Sequence, residues 1–246
     1  MRGIILAGGT GQRLDPLTRI TNKHLLPVYD RPMIHFAVEQ MASAGLDRIM
    51  IVTGGNHAGE FLRLLGNGAR FGLKHLDYAY QERAGGIAEA LGLAEYFAGG
   101  EPVAVLLADN IFEYSIAGPV SRFAADPRGA RLLLAQVDNP SAYGVAEMRD
   151  DRLVRIIEKP KDPPSRLAVT GLYLYDPRVF DMVKTLKPSG RGELEITDVN
   201  NGYLELGELR YELAHGYWAD CGESFEMLLR ANNLVAERGA NKPIPD

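Results

Sequence analysis

The sequence of 246 residues predicts an α/β protein, with a mixed, mostly parallel central sheet covered by helices on both faces and a smaller antiparallel sub-region. Three observations carry this reading. Short apolar runs rich in Ile, Val and Leu (RGIILA at 2–7, RIMIVT at 48–53, VAVLLA at 103–108) are bounded by turn residues, as buried strands are. Between them the apolar spacing changes to that of helices. Beyond about residue 131 the strand-like runs crowd together, which marks antiparallel pairing.

Each element has its own signal. Ile34, Ala37, Val38, Met41 and Ala42 recur at helical spacing within 33–44, and Gly45 closes that helix. A short helix at 57–66 and a strand within 73–80 follow. Ile87, Ala90, Leu91, Ala94 and Phe97 form the stripe of one further helix, ended by Gly99-Gly100. RLLLAQV, YGVAEM, LVRIIE and AVTGLYLY are the crowded strands. Asp176-Pro177 supplies a cap and a first-turn proline for a helix through Val179, Phe180, Val183 and Leu186, and Thr197 is a candidate cap for another. A strand at 209–214, the short strand before Asp220 and a helix at 223–237 complete the reading. No repeat or linker divides the chain, so one domain is expected, with sub-regions 1–130 and 131–246.

Composition narrows the function classes. At 46% hydrophobic and 24% charged residues the chain is too apolar for disorder. Its longest apolar run, Val103 to Ala108, is far short of a membrane span, and the four apolar residues before Gly8-Gly9 are too few for a signal peptide. The one cysteine, Cys221, excludes an internal disulfide framework and points to a reducing compartment, hence the cytoplasm. A net charge of −5 disfavours broad nucleic-acid binding but leaves room for local anion pockets.

The loop Leu6-Ala7-Gly8-Gly9-Thr10-Gly11-Gln12-Arg13-Leu14 follows the first strand, where glycines let backbone N–H groups approach phosphate oxygens. It is not a P-loop, because no lysine follows the glycines, nor a dinucleotide fingerprint, because the third glycine is missing. It carries its own cation, Arg13, and Lys23 follows ten residues later. Two cations bracketing a glycine loop suit a triphosphate better than either alone.

Asp109 stands just past VAVLLA, at the strand edge where open α/β sheets bind ligands, with Asn110 beside it. Asp220 repeats the pattern after Tyr217-Trp218-Ala219. Two strand-end aspartates suit one Mg²⁺, although each alone reads equally well as a turn residue. Lys159 follows LVRIIE and precedes Pro160, whose ring is expected to hold it extended.

With LAGGTGQRLDPLT at 6–18, K-x-L-L-P-V-Y-D-R-P-M-I at 23–34, ADNIF at 108–112, YGV at 143–145, EKP at 158–160, VTGLYLYD at 169–176 and RGELEITDVN at 191–200, the chain resembles the sugar-1-phosphate nucleotidyltransferases, most closely the glucose-1-phosphate thymidylyltransferases. The resemblance covers essentially the whole chain. It implies the Rossmann-like nucleotide-diphospho-sugar transferase fold, with nucleotide held mainly by 1–130 and sugar phosphate by 131–246. It also implies Mg²⁺-dependent nucleotidyl transfer, from dTTP to glucose 1-phosphate, releasing pyrophosphate. Arg13 and Lys23 would meet the phosphates, and Leu6 to Gly11, Gln81 and the Gly86 backbone would hold the nucleotide. Asn110, Gly144, Glu158, Lys159 and Thr170 would hold the sugar phosphate, while Asp109 and Asp220 would hold the metal. Glu193, Glu195 and Asp198 read as residues that cap and orient a helix as well as approach sugar.

Two positions depart from the relatives. His24 and Glu89 stand where glutamine is usual, which leaves UTP and other nucleotide or sugar partners open. The chain stops soon after its last helix and reads as a short form. Small-molecule substrates are the expected partners, with no nucleic acid or membrane, and an assembly of identical copies is compatible with it. A sugar-phosphate nucleophile is already an anion, so no catalytic histidine is required. A glycosyltransferase using a finished nucleotide sugar and a non-catalytic nucleotide-sugar sensor are the rivals, and neither needs the Arg13–Lys23 pair.

Overall fold

The computed structural model describes residues 1–9 and 11–244, so the nucleotide-loop candidate Thr10 lies outside the described residues. Strand β1 (Arg2–Ala7) sends alternate side chains to opposite faces, Ile4 and Leu6 to one core and Ile5 and Ala7 to the other. Three 3₁₀ turns then lead through the ribbon β2 (Pro27–Val28) and β3 (Arg31–Pro32) into helix α1 (Met33–Ser43). Gly45 closes that helix with φ +85°, a value glycine adopts freely. Next come β4 (Arg48–Gly54), α2 (Ala58–Leu65) and β5 (His75–Gln81).

The single helix expected around residues 87–97 is two, α3 (Ile87–Gly92) and α4 (Glu95–Ala98). Gly92 is a poor helix former, and beyond it the Ala94 N–H bonds the Leu91 carbonyl, three residues back rather than four. Ala94 and Ala98 still reach the core, so the apolar stripe survives the break. The chain continues through β6 (Val103–Leu107), β7 (Asn110–Phe112), α5 (Ala117–Ala125), β8 (Ala130–Gln136), β9 (Gly144–Arg149) and β10 (Arg152–Glu158). After β11 (Leu167–Tyr175) come α6 (Val179–Thr185), α7 (Ile196–Glu205), β12 (Leu209–Leu213), β13 (Trp218–Asp220) and α8 (Phe225–Arg238). Thr197 is not the expected cap. It lies inside α7, whose cap position is Glu195, and its buried hydroxyl donates to the Glu158 carboxylate instead.

Strands β6, β1, β4 and β5 run parallel, side by side in that order. Antiparallel β11 borders β6 on one side and β8 on the other, and β12 adds beside β8 in parallel. Along β11 the neighbour changes, from β9 at Ala168 to β6 at Leu172, and the pairing with β8 slips between Val169 and Tyr173. The sheet therefore opens a notch at Thr170-Gly171. Helices α3, α6 and α7 pack on one face, and α1, α2 and α5 on the other. Helix α8 joins a third, smaller cluster with Val28, Phe36, Tyr217 and Ala219.

Asp176 ties this framework together from the end of β11. Its carboxylate accepts from Gly129 N at 2.7 Å, Tyr203 Oη at 2.8 Å and Arg178 N at 3.0 Å, and pairs with the Arg178 guanidinium. Although burial favours its neutral form, these donors hold its pKa below the ordinary 3.8. Asp176→Ala leaves two buried donors unpaired and should cost about 3 kcal/mol, roughly 6–12 °C in Tm by thermal melting. A pKa depressed by folding stabilises above the unfolded value. The stability difference between the wild type and Asp176→Ala should therefore hold at neutral pH and shrink as pH falls below about 4.

Candidate active site

One cavity of about 300 Å³ opens at the carboxyl ends of β1 and β6 and runs to the notch in β11. Leu6, Gly8, Gly9, Arg13, Lys23, Gln81, Gly86, Asp109, Asn110, Gly144, Glu158, Lys159, Thr170 and Asp220 all line it. Among the described candidates, Ala7 and Gly11 do not. Ala7 is the last inward residue of β1 and its methyl is fully buried in the opposite core. Gly11, at φ +65°, lies against Thr18, where a Cβ would stand 2.8 Å from the Thr18 methyl. Its part is to shape the turn beneath Arg13.

The two aspartates come together through strand pairing. β13 lies antiparallel to β7 with Asp220 opposite Asn110, so Asp220 faces the end of β6 where Asp109 sits. The Lys23 ammonium forms a hydrogen-bonded ion pair with Asp109 Oδ2 and lies within the field of Asp220. Burial opposes the lysine charge, but Asp109 and Asp220 outweigh it and its pKa ends above the ordinary value. Burial likewise opposes the Asp109 charge, yet Lys23 holds that carboxyl well below the usual range. Asp220 goes the other way, raised by burial and then by the negative charge of Asp109. Gly222 fits closely against this group, since a Cβ there would lie 2.5 Å from Asp109 Oδ2 and 2.7 Å from Lys23 Nζ.

Two carboxylates, Asp109 buried and Asp220 half-buried, against one ammonium leave a negative charge that a divalent cation would balance. Among the described residues no third Asp, Glu, His or Cys joins them. That donor set fits Mg²⁺, which commonly takes one or two carboxylates and fills its remaining positions with phosphate oxygens and water. His24 contributes no charge, because burial first and Lys23 second push its pKa down to about 3. Its ring Nδ1 lies 2.7 Å from Asn22 Oδ1, which also accepts from the His24 backbone N–H and so fixes the turn carrying Lys23.

Several candidates act differently from their expected contact. Asn110 is a hub: its Oδ1 accepts from Trp218 Nε1 at 2.6 Å and Gly171 N at 2.9 Å, while its Nδ2 donates to Asp109 Oδ1 at 2.9 Å. A Cβ at Gly171 would stand 2.6 Å from that amide, so only glycine fits there. The Thr170 hydroxyl donates to the Leu133 carbonyl at 2.8 Å and braces β11 on β8. Glu195 makes no capping bond, and its carboxylate binds Ser189 and Arg191 instead.

At the far wall Glu158 accepts from Thr197 Oγ1 at 2.6 Å and Arg191 Nη2 at 3.1 Å. Lys159 is not extended as Pro160 led us to expect. Its φ is +43°, because its N–H still donates to the Tyr143 carbonyl at 3.0 Å while the chain turns out of the sheet. A non-glycine residue there carries strain of about 1–2 kcal/mol, held by the hairpin. Its ammonium has only a 3.9 Å approach to Glu158 and stands at the cavity wall. Sequence reasoning missed Tyr143, Arg191, Thr197 and Trp218 as wall residues. No local pattern gives them a role, although Tyr143 lies inside the YGV segment and Arg191 and Thr197 inside RGELEITDVN.

A model of the nucleotidyl transferase family matches residues 2–238. A glucose-1-phosphate thymidylyltransferase of Neisseria meningitidis is 46% identical over 96% of this chain and 82% of its own length. That of an Actinoplanes species is 45% identical over 90% of this chain and 74% of its own length. A Bacillus anthracis structure solved with sucrose, provisionally described as a glucose-1-phosphate thymidylyltransferase, superposes with a TM-score of 0.91 at 50% identity, covering 95% and 94% of the two chains. A UDP-glucose pyrophosphorylase bound to UDP-glucose gives 0.82 at 26% identity, covering 96% and 98%. On the extent of these matches, this chain belongs to the nucleotidyl transferase family.

Proposed function

We propose that this nucleotidyltransferase transfers a thymidylyl group from dTTP to glucose 1-phosphate in a single domain, with residues 1–130 serving mainly the nucleotide and 131–246 the sugar phosphate. The observation that carries this is the Lys23–Asp109–Asp220 cluster between the glycine-loop wall and the Glu158–Lys159 wall of one cavity. That layout suits two anions brought together at one charged centre. A phosphate oxygen of glucose 1-phosphate forms a bond to the α-phosphorus of dTTP. The bond from that phosphorus to the bridging oxygen breaks, and pyrophosphate leaves with the electron pair.

The chain's residues have distinct tasks in this reading. The attacking oxygen is already ionised, so the protein need not remove a proton. Lys23 neutralises charge at the reacting phosphate, Arg13 meets the outgoing phosphates, and Lys159 holds the sugar phosphate in line. Mg²⁺ on Asp109 and Asp220 would supply positive charge against the phosphate oxygens. Gly8 leaves room for the Gln81 amide, which would meet the base, and Glu158 with Gly144 faces the sugar. Buried Cys221 fits a reducing compartment such as the cytoplasm, and no described helix is long and apolar enough to cross a membrane.

A panel of nucleoside triphosphates with glucose 1-phosphate, read by pyrophosphate release, tests the reading. We expect dTTP to exceed UTP by what one methyl group is worth, about 1–3 kcal/mol, and both to exceed the purines strongly. Preference for ATP or GTP overturns the pyrimidine assignment.

Asp109→Asn and Asp220→Asn should each lower turnover by about two orders of magnitude, with a weakened response to added Mg²⁺. Wild-type turnover and metal response in both variants would remove the carboxylate pair from the chemistry. Lys159→Met keeps the stem and deletes the charge, so KM for glucose 1-phosphate should rise about tenfold or more while KM for dTTP changes little. Steady-state kinetics with each substrate varied in turn decides this, and unchanged sugar-phosphate kinetics would make Lys159 a surface lysine.

A further inference from the structure

Gln81 ends strand β5 and is buried at the cavity wall, where either end of its amide is a plausible contact for a base. Its neighbours settle which end faces the cavity. Nε2 donates to the Gly86 carbonyl at 3.3 Å and to Glu89 Oε1 at 3.2 Å. Both partners accept only, a main-chain oxygen and a carboxylate paired with Arg83. Turned over, the amide would set Oε1 against two oxygens with no proton between them.

Oε1 therefore lies over Gly8, where a Cβ would stand 2.8 Å from it, and among the described residues no donor bonds it. The local chain is shaped to admit Glu89. A Cβ on Gly85 would lie 2.1 Å from its carboxylate, and Leu194 pins the loop through its N–H to Gly85 O at 2.8 Å and its carbonyl to Ala88 N at 3.2 Å.

We propose that Glu89 is a positioning residue for base selection: it holds Gln81 with its oxygen toward the cavity, favouring a pyrimidine whose ring nitrogen carries a proton. The inference rests on the pyrimidine-nucleotide reading above. Thymine and uracil present an N3–H donor that Oε1 accepts. Cytosine presents a bare N3, which would face Oε1 lone pair to lone pair and leave two buried acceptors unpaired. Glutamine at position 89 offers either an oxygen or an NH₂ group, and so fixes Gln81 less firmly than a carboxylate does.

The test compares kcat/KM for dTTP and for dCTP, at saturating glucose 1-phosphate, in the wild type, Glu89→Gln, Glu89→Leu and Gly85→Ala. Gly85→Ala displaces the carboxylate without removing its charge and guards against a folding defect in Glu89→Leu. The dTTP-over-dCTP ratio should fall about tenfold or more in Glu89→Leu and Gly85→Ala and less in Glu89→Gln. KM for glucose 1-phosphate should stay within about twofold, because these substitutions act where the base sits, away from the sugar phosphate. A ratio unchanged in both Glu89→Leu and Gly85→Ala overturns the proposal, and so does an equal loss for both triphosphates, which marks a merely structural role. A wild type that prefers dCTP overturns it while keeping the pyrimidine reading. A wild type that uses neither triphosphate removes that reading, and the proposal with it.

Discussion

The pairing of the Lys23 ammonium with Asp109, with Asp220 close by, is the constraint around which the rest of the site is arranged. An isolated charge at that depth would neutralise, because desolvation costs several kcal/mol per ion. Lys23 and Asp109 stay ionised because each answers the other. Asp220 makes no such pair, and burial first and the Asp109 charge second raise its carboxyl. The cluster is thus short of positive charge in the protein alone, which suits a centre that must receive a cation and phosphates together.

Several neutral groups hold this cluster in register. The Asn110 amide connects Asp109 to Trp218 on β13 and to Gly171 in the β11 notch, joining the turn after β6 to two strands through one side chain. The rings of Trp218 and Tyr143 pack in a T-shaped contact with centroids 5.0 Å apart. The Tyr143 carbonyl in turn holds the Lys159 N–H in its strained turn. The sugar-facing wall and the charged centre are therefore mechanically connected. A rigid frame of this kind costs no reorganisation when two anions arrive.

The same sheet explains why the cavity has two unlike walls. Parallel strands β1 and β5 end on the glycine loop and Gln81, which offer backbone N–H groups and an amide. Beyond β6, antiparallel β10 ends at Glu158, with Lys159 next to it and the start of α7 against it through Thr197, and these offer charges and hydroxyls. Because β11 changes neighbour from β9 to β6 along its length, the sheet parts at the place where the two walls meet.

Much of this was legible in the sequence. Apolar runs and helical spacing determined the α/β alternation, since burial on one or both faces imposes those periods on local sequence. The glycine loop, Arg13, Lys23, Asp109 and Asp220 stood out because they sit at the edges of such runs. Local signals also misled: a helical stripe hid the break after Gly92, Pro160 suggested an extended Lys159, and Thr197 looked like a cap. In each case involving a side chain or backbone partner, a distant element decided the outcome, as the Tyr143 carbonyl does for Lys159 and Glu158 for Thr197. What only the tertiary structure decided was which side chains meet. The antiparallel pairing of β13 with β7 brings Asp220 to Asp109, Asn110 spends its amide on positioning, and Glu89 turns Gln81. Periodicity records which face of an element is buried; hydrogen-bond partners far apart in the chain leave no period, and only the folded sheet brings them together.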